Sequence, residues 1–216
     1  MTKKALIITA SFALLLSSAC SRDGVLDVSA GIGVNVTRSG CPAVAVPDGT
    51  GDITLFSGAN RQDADAIDLV ASLTKLRPTC NDKGDQIYTE AAFEVTALRS
   101  SSEGARSVTL PYFSTVVQGG GAVIAKRVGQ VTLNFADGQA RASAAGKAAS
   151  YIDAASARLP DDIIAKITKK RKAGDDDAAL DPLADPEVKA ALVRSSFELL
   201  IGFQLTEDQL RYNVTR

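Results

Sequence analysis

Histidine is absent from all 216 residues of this chain. Without an imidazole, Ser-His-Asp and Cys-His catalysis, histidine-ligated zinc and a histidine pH switch are excluded together. Any catalysis would rest on carboxylates, lysine, tyrosine or a bound metal. Tryptophan is also missing and aromatic residues make up only 5% of the chain, which removes the girdles of a transmembrane barrel. The formal charge is −1, from 24 bases and 25 acids, so there is no basic footprint for nucleic acid. Gly31 with Gly33, and the triplet Gly119, Gly120 and Gly121, are not nucleotide loops. Neither group runs into a helix carrying the remaining glycine or lysine elements. Cysteine is scarce, at Cys20, Cys41 and Cys80.

The amino terminus is the most informative stretch. Lys3 and Lys4 precede an apolar run over residues 5–16, followed by the small residues Ser17, Ser18 and Ala19 and then Cys20. That order is the grammar of an export signal, and the apolar run is too short to be read first as a membrane span. Leu16, Ser17, Ser18, Ala19 and Cys20 together resemble the lipobox of bacterial lipoproteins, with serine at position 17 where leucine is commonest. The resemblance implies removal of residues 1–19, acylation of Cys20 as the new amino terminus, and a lipidated tether over residues 20–40. Ser21 resembles the outer-membrane sorting pattern, in which aspartate at that place is the retention signal; Asp23 falls two places later. By this resemblance, which is specific over residues 1–21, the chain is similar to small Gram-negative envelope lipoproteins. Its expected place is the outer membrane, with the domain facing the periplasm. Its expected partners are the bilayer, through acylated Cys20, and an envelope protein, with no nucleic acid. Each buried acyl methylene contributes about 0.8 kcal/mol, which makes a multiply acylated anchor permanent. The alternatives are a signal cut elsewhere, with Cys20 discarded, or an uncleaved anchor helix.

Removal of residues 1–19 leaves 197 residues with 22 bases against 25 acids, enough for one sizeable core. Cys41 and Cys80 then meet an oxidising compartment, where an even pair usually becomes a disulfide. Closing a loop of that length is worth about 4 kcal/mol in the chain-entropy model. Two buried free thiols are the alternative reading, and a redox pair would want Cys-x-x-Cys spacing.

From Cys41 onward the pattern is that of strands. Residues 52–56 form a short β run. Residues 67–76 alternate, with Ile67, Leu69, Ala71 and Leu73 on one face, and end in turn chemistry from Pro78 to Gly84. Residues 87–98 set Ala91, Phe93, Val95 and Ala97 against Glu90, Glu94 and Thr96. Residues 107–118 alternate too, and Pro111 argues for an edge or a bulge. Residues 122–135 follow, and Asp137 with Gly138 reads as a hairpin turn. Residues 139–155 hold a strand near Ser150 and otherwise undecided structure. A helix with acids first and bases last is expected from Pro160, a second over residues 187–195, then a strong strand over 197–205. Thr206 and Gln209 have capping-box spacing for a closing helical turn. Together these predict a mainly β fold, an immunoglobulin-like sandwich over residues 41–216 with one disulfide and a helical insertion at about residues 160–195, before the last strand. Within residues 21–40 the runs at 25–28 and 32–36 have the length of short edge strands.

The chemical candidates are few. Asp175, Asp176, Asp177, Asp181 and Asp185 form an acidic cluster, but they lack the alternating calcium-loop spacing and read as a solvated linker. Lys169, Lys170, Arg171 and Lys172 suit either a helix end or anionic lipid. Glu90 and Glu94 share one strand face and have no partner cleft in sequence. Residues 197–205 are apolar enough to be buried on both faces, or to accept a partner strand. No catalytic set, cofactor or metal is expected. The functional expectation is a non-enzymatic binding or envelope-assembly module, with glycan or lipid binding next and a carboxylate- or metal-dependent hydrolase last.

Overall fold

The computed structural model describes residues 39–58, 62–169, 174, 176 and 179–215. The export signal, Cys20, the tether up to residue 38, Lys170, Arg171, Lys172, Asp175 and Asp177 lie outside the described residues. The body considered below comprises residues 39–168 and 181–215.

Its strands are β1 (Ala43–Ala45), β2 (Asp52–Phe56), β3 (Ile67–Asn81), β4 (Gln86–Arg99), β5 (Arg106–Gln118), β6 (Ala122–Phe135), β7 (Arg141–Asp153) and β8 (Phe197–Phe203). The helices are α1 (Asp161–Thr168), α2 (Pro186–Arg194) and α3 (Glu207–Thr215). The strands make two four-stranded sheets, ordered β1-β8-β5-β6 and β2-β3-β4-β7, antiparallel except where β1 meets β8. The fold is mainly β, as the alternation predicts, with α1 and α2 immediately before β8. In β4, Ile87, Ala91, Phe93, Val95 and Ala97 face inward, while Glu90, Glu94 and Thr96 are half-exposed on the other face. Leu69, Ile87, Phe93 and Val95 from one sheet and Leu110, Leu133, Phe135, Leu199 and Ile201 from the other form a single core. Ile163 of α1 packs with Val188 and Ala191 of α2 in a separate small cluster.

Cys41 and Cys80 are joined in a disulfide with Cα atoms 6.2 Å apart. It ties the segment before β1 in one sheet to the end of β3 in the other. Ser39, at the end of the expected tether, already bonds Asp82, and Gly40 lies against Ile87, whose Cδ1 would stand 2.8 Å from an added Cβ.

Several local expectations need correction. β5 is not an edge strand: it lies between β8 and β6, and Pro111 stands where β8 has just ended. The Pro111 carbonyl accepts from the Gln204 amide, so its missing N–H falls on the β8 side and breaks no bond to β6. β3 runs through Pro78 to Asn81, beyond Ser72, the last residue that β2 covers, and pairs there with β4 alone. Asp137 and Gly138 turn the chain from β6 in one sheet to β7 in the other, so this is a crossover and not a hairpin. Residues 139–155, in part undecided from their alanine content, are dominated by the thirteen-residue β7, held by continuous pairing to β4. β8 is an interior strand between β1 and β5. At Gly202 its outer face meets Thr50, and the Phe203 amide donates to the Thr50 carbonyl, so this strand has no free edge for a partner. The closing turn is a full helix, α3, entered through a reciprocal capping box between Thr206 and Gln209.

One end of the body is locked by Arg99. Its guanidinium is buried and donates to the carbonyls of Ser102, Gly104, Ala136 and Gln139, and it lies 5.1 Å from the Phe135 ring centroid. The loop after β4 and the crossover after β6 are also bonded directly, through Gly138 N to Ser102 O and Gly104 N to Asp137 Oδ1. Arg106 grips Asp68 with two bonds of 2.7 and 2.6 Å at this same end.

Candidate functional site

The opposite end is built differently. From Val131 to Phe135, β6 alternates buried and exposed in the ordinary way. Over residues 122–130 the alternation stops, and all but the half-buried Gly129 are exposed. Val123, Ile124 and Val128 are 62%, 49% and 60% exposed, beside Lys126 and Arg127. Among the described residues β6 pairs only with β5, which leaves its other backbone edge open.

The register says which backbone groups are offered there. Pro111 turns its carbonyl to the β8 side, so its partner Gln130 turns its own amide and carbonyl away from β5. Alternation then directs the amides and carbonyls of Val128 and Lys126 outward as well. Among the described residues the other sheet edges are short or partly engaged, except β3 beyond Ser72, which is uncovered too but carries Lys75, Arg77 and Pro78 there rather than exposed aliphatic side chains. β1 has three residues, and β2 has five with α3 against it through the edge-to-face contact of Phe56 with Tyr212 and the Asn213 amide on the Asp52 carbonyl. On β7 the Tyr112 hydroxyl donates to the Lys147 carbonyl at 2.6 Å. An open edge of this length and apolar character is one that proteins ordinarily shorten, charge or cover.

Two clefts border this edge, one on each face of its sheet. The inner one, about 340 Å³, is lined by Ser114, Val116, Ala125, Arg127, Ser150 and Tyr151 among others. It exists because small side chains stand here where Leu110, Leu133 and Phe135 fill the locked end. Tyr112 marks the boundary: its ring packs on Phe93 with centroids 5.0 Å apart and lies over Gly129, where an added Cβ would come within 2.5 Å. Ser150 is 4% exposed and its Oγ has no hydrogen-bond partner among the described residues. A buried hydroxyl without a partner is costly and points to an occupant of the cleft. The outer cleft, about 420 Å³, is lined by Phe113, Thr115, Lys126, Gln204 and Leu210 among others, with the Lys126 ammonium 5.5 Å from the Phe113 ring centroid.

The candidates named from sequence fall elsewhere. Glu90 and Glu94 are each held by a different lysine, Lys147 and Lys75, at 3.0 Å. Lys147 and the Tyr88 hydroxyl lower the Glu90 pKa, and the same bond raises that of Tyr88. Asp181 and Asp185 are helix caps, bonding the amides of Leu183 and Glu187, which gives two members of the acidic cluster a structural duty. Lys166 pairs with Glu187 across α1 and α2, and that bond raises its pKa. Sequence reading missed the edge, the clefts and Arg99. The signal for Arg99 was present: it continues the inward series Ala91, Phe93, Val95 and Ala97.

Fold and site thus define a two-sheet, disulfide-linked β domain whose β6 offers an open, apolar and cation-bearing edge among the described residues. No protein-family model, no curated protein and no solved structure matches this chain.

Proposed function

We propose that this chain is an exported, non-enzymatic lipoprotein that binds a protein partner in the bacterial envelope, held in the outer membrane by acylated Cys20 and facing the periplasm. The lipobox-like run ending at Cys20 supports the address. The observation that carries the binding reading is the open edge at residues 122–130, where exposed apolar side chains, two cations and outward backbone groups coincide. Its disulfide suits the oxidising compartment that the address implies. An immunoglobulin-like sandwich is the finer fold reading. Two sheets around one core and the crossings from β4 to β5 and from β6 to β7 favour it, although the strand order departs from the ABED and CFG sheets of that fold. A glycan is the second ligand reading, favoured by the tilted ring pair Tyr88 and Tyr151, with centroids 4.9 Å apart, beside Glu90 and Lys147.

The test is site-specific photo-crosslinking of the full chain in living Gram-negative cells, with the crosslinker at Ile124 or at the exposed Leu98 of β4. The expected result is a discrete adduct from Ile124, absent from Leu98 and lost in Cys20→Ala. Equal adducts from both positions would remove the edge from the account, and an adduct indifferent to Cys20→Ala would remove the anchor.

A further inference from the structure

We infer that the occupant of the β6 edge is an extended segment of the partner, carrying carboxylates among alternating apolar side chains and added to the sheet as a fifth strand. This rests on the binding reading above and names the chemistry of what binds.

The outward amides and carbonyls of Lys126, Val128 and Gln130 form a ready-made ladder, and a peptide strand is the ligand that satisfies such a ladder in full. A lipid surface does not. It would take up Val123, Ile124 and Val128 but leave those backbone groups without partners in hydrocarbon. A second copy fits the ladder but not the charge. β6 contains no acid, and a two-fold seam would gather two copies each of Lys126 and Arg127. An acidic strand fits both. Because side chains alternate, successive residues of the added strand enter the two clefts in turn. On the inner face they meet the Arg127 guanidinium and the unpartnered Ser150 hydroxyl, both donors suited to a carboxylate. On the outer face they meet Phe113 and Lys126.

The probes are a short peptide of alternating valine and glutamate, its valine–lysine counterpart, and vesicles containing anionic phospholipid, each titrated against the purified full chain. The key variant is Val128→Pro, whose lost amide faces away from β5 and so leaves the native ladder intact. Gln130→Pro acts on the same outward row and serves if the first variant melts early. The expected result is binding of the glutamate peptide, weakened about tenfold or more by either proline and by the double change Lys126→Glu, Arg127→Glu, with the lysine peptide at least about tenfold weaker. Equal binding of the two peptides, or indifference to proline in a folded variant, overturns the inference. So does vesicle binding that falls on charge reversal but not on proline, which would identify a membrane surface. Self-association abolished by Val128→Pro would identify a second copy, and protection of β6 by residues 25–28 of the chain itself would identify an internal strand; either also overturns it. If the glutamate peptide fails while crosslinking from Ile124 persists, this inference falls and the binding reading stands. If both fail, both fall.

Discussion

The two ends of β6 are one strand in two environments. At the locked end Val131, Leu133 and Phe135 enter the core, and Arg99 gathers four carbonyls into a knot that closes the loops around them. At the open end no side chain of β6 is buried in the core, and among the described residues Ser150 is left without a partner and the backbone edge is bare. The contrast separates what holds the fold from what is free to act. Polar groups at the locked end are satisfied and therefore structural, whereas at the open end the unsatisfied ones coincide with exposed apolar surface and cations.

The sharpest way to break this contrast is at Arg99. Arg99→Met strands four carbonyls at once and is expected to cost about 3–5 kcal/mol in chemical denaturation; a cost below 1 kcal/mol on the same scale would mean that the knot is ornamental. Next comes a paired truncation along β6. Leu133→Ala is expected to destabilise by about 3 kcal/mol through the cavity it leaves, while Val123→Ala should stay within about 0.5 kcal/mol. Equal effects would show that the open half is packed after all. Ser150→Ala has the opposite sign: removing a buried hydroxyl without a partner should leave stability unchanged or raise it by up to about 1 kcal/mol. A clear loss would reveal a hydroxyl contact and weaken the case for the inner cleft.

The smallest effect concerns pH. Hydrogen bonds from Arg106, opposed by partial burial and aided by its charge, hold the Asp68 carboxyl below its ordinary value. A depressed folded-state pKa contributes stability that is present above the unfolded value and is lost as pH falls through the folded one. Stability should therefore decline below about pH 4 by about 0.5 kcal/mol from this pair, a modest amount because both side chains are partly exposed. Asp68→Asn should remove that component of the acid limb, as read from denaturation midpoints between neutral and acidic pH.

Much of the fold was legible because β4, the first part of β3 and the second half of β6 bury one face only and so print a period of two. Pro111 and the Asp137–Gly138 turn misled for one reason: sequence shows what a residue disfavours locally but not which strand ends beside it or which sheet the chain enters next. The alanine-rich β7 was hard to read because its partner β4 supplies the ordering. The open edge was half legible. Residues 131–135 alternate cleanly and residues 122–130 do not, but a broken alternation marks exposure only once both sheets are in view. The disulfide was legible from the parity of the two cysteines and the expectation of export, while Cys20 lies outside the described residues.

The most direct measurement is amide hydrogen exchange along β6, in the full chain as the cell produces it, compared between isolated cell envelopes and detergent. The outward amides of Lys126 and Val128 are the reporters, and those of Arg127 and Gly129, which face β5, are the internal reference. Occupancy of the edge predicts exchange at the reporters at least about tenfold slower in the envelope, with the reference unchanged. Equally fast exchange of the reporters in both settings would contradict the claim that this edge is where the protein binds.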